Sequence, residues 1–140
     1  MGATFESLGA SVTIGHRSEI TPESVISQTP DLLVIGAAIR KFMTGPASKR
    51  WMSRLATAAK KSGGPIPRGA IFITHIMPEP MASRRAERFI QSVKGYNAVG
   101  DLHPGWFSGP VQKILGPLVD GTLEAAEARA GELFEWVSSA

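Results

Sequence analysis

Three short stretches carry the residue types from which chemistry can be built. The first, Ala37-Ala38-Ile39-Arg40-Lys41-Phe42, mixes small, apolar and cationic residues directly after the apolar run Leu32–Ile35 and Gly36. Small side chains at 37 and 38 let backbone approach a flat ligand, Ile39 or Phe42 can pack on it, and Arg40 can neutralise an anion or a phosphate. The second, Thr74-His75-Ile76-Met77, follows the run Ala70–Ile73, and His75 can donate or accept a hydrogen bond or a proton near neutral pH. The third, His103-Pro104-Gly105-Trp106-Phe107, offers two adjacent aromatics, a pairing that more often finishes a core than grips a ligand.

Other chemistries find no support. The three histidines are dispersed, without the spacing that binds a metal, and His16 stands alone. Cysteine is absent, which removes disulfides, thiolate catalysis and cysteine-based metal sites. The glycines form neither a dinucleotide fingerprint nor a phosphate-binding P-loop. No Ser-His-Asp set stands out along the chain, although such sets need not be local in sequence. Trp51 and Trp136 fall on apolar helix stripes and read as packing.

The elements that must position these stretches follow from local signals. Met1–Leu8 reads as the end of a helix, with Phe5 and Leu8 on one face and Gly9 as its stop. Ser11–Gly15 reads as a short strand. Thr21-Pro22-Glu23 opens a brief helix to about Gln28, with a Thr N-cap, Pro at the first helical position and an acid in the first turn. Pro30 then gives a clean start to a strand over Asp31–Gly36, whose unbroken apolar run is the habit of a parallel sheet. A helix is predicted from about Pro46 to Lys61, with Ala47, Trp51, Leu55 and Ala58 or Ala59 inward. A loop over Ser62–Pro67 leads to a strand over Ala70–Thr74 and a second loop over His75–Pro80.

Ala82–Val93 reads as a helix burying Ala82, Ala86, Phe89, Ile90 and Val93, closed by Gly95 as its C′ residue. Asn97–Leu102 carries a weaker strand signal that Gly105-Trp106-Phe107 continues. Val111–Leu115 reads as a helical turn inside the Gly109–Gly121 connection. The final helix begins near Thr122, with Leu123, Ala126, Ala130, Leu133, Phe134 and Val137 as its stripe. Alternating strands and helices over 140 residues predict one domain: an α/β fold with a doubly wound parallel sheet in three α/β/α layers. Ligands in such folds bind beyond the carboxyl ends of the strands, where the first two stretches fall.

Composition is that of a globular domain, with 43% hydrophobic and 19% charged residues. No window approaches a membrane span of about 20 apolar residues, the start lacks the layout of a signal peptide, and a reducing cytoplasm suits a cysteine-free chain. Net charge is +3 and the pI is near 9.6. The cations fall on helix patterns and read as solvated faces, so nucleic acid is not the expected partner.

Three pieces in order give the chain a family likeness. Asp31-Leu-Leu-Val-Ile-Gly-Ala-Ala-Ile-Arg40 resembles the strand and loop that cover one face of the flavin in the flavodoxin family. Phe72-Ile-Thr-His-Ile76 resembles its second ring-binding strand and loop, and Gly116-Pro-Leu-Val-Asp-Gly-Thr-Leu-Glu-Ala-Ala126 resembles the segment leading into its last helix. The likeness spans about residues 8 to 138. It implies FMN as cofactor, held by Ala37, Ala38, Ile39, Arg40, Lys41, Phe42, Thr74, His75, Ile76 and Met77. The function it implies is electron transfer or FMN-dependent oxidoreduction, with a redox partner protein or a small-molecule substrate.

One departure matters. The family begins with a strand and a Ser/Thr- and Gly-rich loop that wraps the FMN phosphate, and nothing here resembles either. A strand, a loop and most of a helix amount to roughly 20 residues, so an N-terminally incomplete domain with weakened FMN affinity is expected. The first strand lies inside the family's sheet, so its loss should leave a slot that destabilises the chain or is closed by another chain. Two alternatives follow. The Gly36-Ala-Ala-Ile-Arg40 loop is also similar to that of flavodoxin-like protoporphyrinogen dehydrogenases, and a positive field suits an acidic substrate or a peripheral membrane contact. The other is a cofactor-free flavodoxin-like module for protein contact. A phosphoreceiver domain shares the architecture but is not the expected class, since Gly36 follows Ile35 where an Asp would stand and no acidic cluster appears.

Overall fold

The computed structural model describes residues 1–39, 46–113 and 116–139. Three strands form one sheet in the order β1 (Leu32–Ala38), β2 (Ile66–His75), β3 (Val99–Pro110), and both pairings are parallel. Helices α3 (Pro46–Lys61) and α4 (Glu79–Tyr96) make the crossovers, preceded by the short α1 (Gly2–Ser7) and α2 (Pro22–Ser27) and followed by α5 (Thr122–Ser138). Alternation along β2 divides the core. Ile71 and Ile73 join Met52 and Leu55 of α3 and Ala86, Phe89 and Val93 of α4. Ala70 turns the other way, to Phe5 of α1 and Ala130 and Leu133 of α5. Helices therefore cover both faces, an α/β fold with a parallel sheet.

Local chemistry sets the helix boundaries. The Thr21 hydroxyl accepts from the Ser24 N–H at 3.2 Å, Pro22 occupies the first turn, and Glu23 faces the positive helix end. Helix α3 spans the expected range; its Trp51 is half-buried because the indole N–H donates to the Ile20 carbonyl at 2.9 Å. In α4 the terminating left-handed residue is Asn97 (φ 55°) rather than Gly95, which lies inside the last turn. Asn tolerates that conformation because its short polar side chain bonds locally. In α5, Thr122 is buried and Leu123 is 65% exposed, because the stripe Thr122, Ala126, Ala130, Leu133 leaves position 123 on the next face.

Other expectations are corrected. Residues 11–15 pair with no strand: Val12 packs, like Leu32 and Val34 of β1, on the cluster of Phe5, Ala70, Ala130 and Leu133, while Thr13 Oγ1 donates to Gln28 Oε1 at 3.0 Å. Among the described residues the sheet consequently has no slot, and the expected gap lies at the edge of β1. Ile39 donates its N–H to the Thr74 carbonyl at 3.0 Å, so the odd-numbered residues of β1 bond to β2 and the backbone of Leu32, Val34, Gly36 and Ala38 faces away. Strand β1 is accordingly half-buried rather than enclosed. Ile66 and Pro67, read as loop, begin β2. Val111, where the expected helical turn begins, is extended and bridges Leu118; Ile114 and Leu115 of that turn lie outside the described residues.

The two strand pieces near residue 100 are one strand with a bulge. Gly69 pairs with Leu102 and Ile71 with Trp106, so β3 carries two extra residues at the point where Pro104 has no N–H to offer. Two extra residues keep the face alternation in phase, and Leu102 and Trp106 both pack on the α3/α4 side. Leu55 is fully buried between these layers. Leu55→Ala should cost about 2–5 kcal/mol of unfolding free energy in urea titration; a loss under about 1 kcal/mol would contradict this placement of the core.

Candidate functional site

All three strands end at one edge, and β2 ends there on His75, whose carbonyl accepts the Val111 N–H at 2.8 Å. The alternation that buries Ile71 and Ile73 also turns the His75 side chain inward, leaving it 3% exposed. Its Nδ1 lies 2.9 Å from the Met77 carbonyl oxygen. A carbonyl only accepts, so Nδ1 carries the proton and the neutral ring presents a lone pair at Nε2. Ser108 Oγ sits 2.7 Å from that Nε2, on the neighbouring strand and 33 residues away in sequence. Glu79, in the first turn of α4, brings Oε2 to 3.2 Å from Ser108 Oγ and 3.6 Å from Nε2.

One hydroxyl proton cannot serve both neighbours. With a neutral ring, Ser108 donates to Nε2. With an imidazolium, Nε2–H donates to Ser108 Oγ and the hydroxyl donates to Glu79, so every polar atom is satisfied. The set can hold a proton at Nε2 or at Ser108 Oγ, with Met77 as the group that orients the base. Trp106 closes the inner side, its ring edge-on to His75 at 6.1 Å between centroids. Sequence reading missed Ser108 and Glu79, because cross-strand register unites them with His75. The one local signal was the i, i+4 spacing of His75 and Glu79.

The expected ligand loops stand side by side. Ala38 pairs with Thr74, and the Ile39-to-Thr74 bond zips the two strand ends together. Ala37 is half-buried, Ala38 exposed, and Ile76 50% exposed. Ile39 is buried in the α3/α4-side core, and His75 has both ring nitrogens engaged, so neither side chain is free to meet a ligand. Met77 is half-buried and bound through its carbonyl. Arg40, Lys41 and Phe42 lie outside the described residues.

On the opposite face, Phe72 stacks on Phe107 at 5.3 Å and 15°. A Cβ at Gly109 would come within 3.0 Å of the Phe72 ring and 3.3 Å of Thr74 Cγ2, and one at Gly36 within 3.6 Å of Phe72. Two glycines thus flank Phe72 and keep the surface beside Thr74 low.

The third stretch divides. Trp106 joins His75 on the α3/α4 side and Phe107 joins Phe72 on the other, so the pair makes no common stacking platform. His103 faces α5, where its Nδ1 accepts from Arg129 Nη2 at 2.8 Å and from the Gly105 N–H at 3.3 Å. Trp136 stands perpendicular to it at 5.0 Å, and Glu132 holds Arg129 at 3.0 Å. Burial, then the Arg129 charge, lowers the pKa of His103. Among the described residues no cluster of His, Asp and Glu could hold a metal ion. A groove of about 200 Å³ between α2 and α3, lined by Glu23, Ile26, Ala58 and Lys61, lies near the far end of α3, away from this edge.

Compared with known protein families, curated proteins and solved structures, the chain matches none.

The His103 geometry sets a pH dependence. Its folded pKa is depressed, so the unfolded chain binds the proton more tightly and stability rises with pH in this range. The contribution should be complete above about 6.5, the ordinary histidine value, and should be lost as pH falls through the lowered folded value. His103→Gln should flatten that part of a stability-versus-pH curve from urea titrations. An unchanged slope in the variant would show that His103 is not the group responsible. For His75, nitrogen-15 NMR of the neutral ring should show the proton on Nδ1 and an unprotonated Nε2; the reverse tautomer would remove the Met77 hydrogen bond from the site.

Proposed function

We propose that this chain is a flavin-binding redox module of the flavodoxin kind, taking FMN at the carboxyl edge of its sheet. One observation carries the reading: the two loops that resemble ring-binding loops leave adjacent strands at paired residues, Ala38 and Thr74. The residues present suit the flat end of such a cofactor. Ala38 and Gly36 are exposed and too small to block a ring, and the Thr74 hydroxyl has no hydrogen-bond partner among the described residues. Ile76 supplies an exposed apolar cover. Bound flavin would supply the capacity to accept and release electrons, and the protein would orient it and exclude water.

Beneath the Ile76–Met77 backbone, His75, Ser108 and Glu79 hold a proton at the same edge. Electrons would pass to a redox partner protein or a small-molecule substrate. A second reading, the cofactor-free module for protein contact, is favoured by the open edge of β1. That edge offers backbone with no strand partner among the described residues, on an apolar strand, a template for strand addition.

The test is flavin titration followed by fluorescence quenching and shifted visible bands. The sequence lacks a phosphate-wrapping loop, so FMN and riboflavin should bind within about tenfold of each other, a difference under about 1.4 kcal/mol. Ala38→Glu, at an exposed position, should weaken both at least about tenfold with far-UV circular dichroism unchanged, a loss of about 1.4 kcal/mol or more. Absence of quenching with either flavin would sink the redox reading and leave the interaction module. Undiminished binding by the variant would move the site elsewhere.

A further inference from the structure

Charge is sorted across the sheet. Helix α3 carries five cations and no acid, and α4 carries four cations against two acids, a net of seven positive charges. On the opposite side, α5 carries four acids against one cation, a net of three negative charges. The whole chain is only +3, so the asymmetry reflects placement more than composition. Packing creates it: α3 and α4 bury their apolar stripes in the same core on the same face of β2, which leaves their cationic stripes side by side in solvent.

The positive layer also has an apolar corner. Met81 is 45% exposed and Ile76 50% exposed, both where α4 begins. On α4, Met81 is followed at helical spacing by Arg84, Arg85 and Arg88, so an exposed thioether and a row of guanidinium-bearing residues share one stripe. Arg84 and Arg88 are exposed. In the first turns of α3 Lys49 and Arg50 are exposed, and further along it Arg54 is partly neutralised by Glu23 at 2.9 Å.

We infer that the α3/α4 layer is a docking surface for an anionic membrane. A broad helical layer with many cations and few acids matches a sheet of acidic headgroups, and an apolar corner can enter the headgroup region where a charged residue would not. No helix among the described residues is long and apolar enough to cross a membrane, so the contact is peripheral. The inference stands apart from the flavin reading, since no residue that it uses to bind lipid, apart from Ile76, belongs to the flavin site.

The test is cosedimentation of the full chain with vesicles. It should bind vesicles of phosphatidylcholine containing about 30% phosphatidylserine and not pure phosphatidylcholine. Raising salt from about 0.1 to about 0.5 M should release it, as screening shortens the range of the field. Arg84→Glu with Arg88→Glu should weaken binding at least about tenfold. Arg17→Glu with Lys113→Glu makes the same change in net charge at exposed positions outside the layer and should cost about threefold or less. Equal losses in the two double variants would mean that net charge alone drives binding, and the proposal fails. Failure to bind phosphatidylserine vesicles overturns it too, and salt-sensitive capture on RNA or heparin in that case would point to a polyanionic macromolecule. Flavin binding measured on the same variants separates the two readings.

Discussion

Strand β2 is hydrogen-bonded on both sides and covered on both faces, and the rest of the molecule depends on that double burial. Ile71 and Ile73 anchor the layer of α3 and α4, while Ala70 admits the close approach of α1 and α5. Burial on both faces demands near-continuous apolar sequence, and parallel pairing on both edges demands a helical crossover before and after it. The lengths of α3 and α4, the common direction of the strands and the single edge at which they all end follow from this one strand.

The same strand delivers its last residue to the site. His75 continues the alternation of Ile71 and Ile73 and therefore points into the core, where a polar ring is tolerated only with its hydrogen bonds made. Met77, two residues on, satisfies Nδ1 through its carbonyl, and Ser108 on β3 satisfies Nε2. Glu79 completes the set from the first turn of α4. The bulge in β3 matters at this point: with two extra residues between Leu102 and Trp106, Ser108 falls opposite Ile73 and on the face of His75. One extra residue would have turned Ser108 to the other face.

Two asymmetries arise from how the layers pack. Cations gather on the α3/α4 side and acids on α5, although each helix taken singly is an ordinary amphipath with a charged outer face. The sheet edges differ as well. Strand β3 carries Pro104, Pro110 and Asp101 and a bulge, devices that discourage further pairing, whereas β1 is apolar and, among the described residues, pairs on one side alone.

Features that depend on near neighbours are legible in the linear order of residues. Thr21-Pro22-Glu23 starts α2, the apolar period of α3 runs from Pro46 to Lys61, and the buried set Ala82, Ala86, Phe89, Val93 is read directly from α4, because capping and helical periodicity act within one or two turns. Which distant residues meet is settled by the three-dimensional packing. It left residues 11–15 out of the sheet, joined two strand pieces through a bulge, sent Trp106 and Phe107 to opposite faces and placed Ser108 against His75. Each of these outcomes depends on strand register, and register is set by which side chains of separate strands can be buried together, a condition that no local run of residues contains.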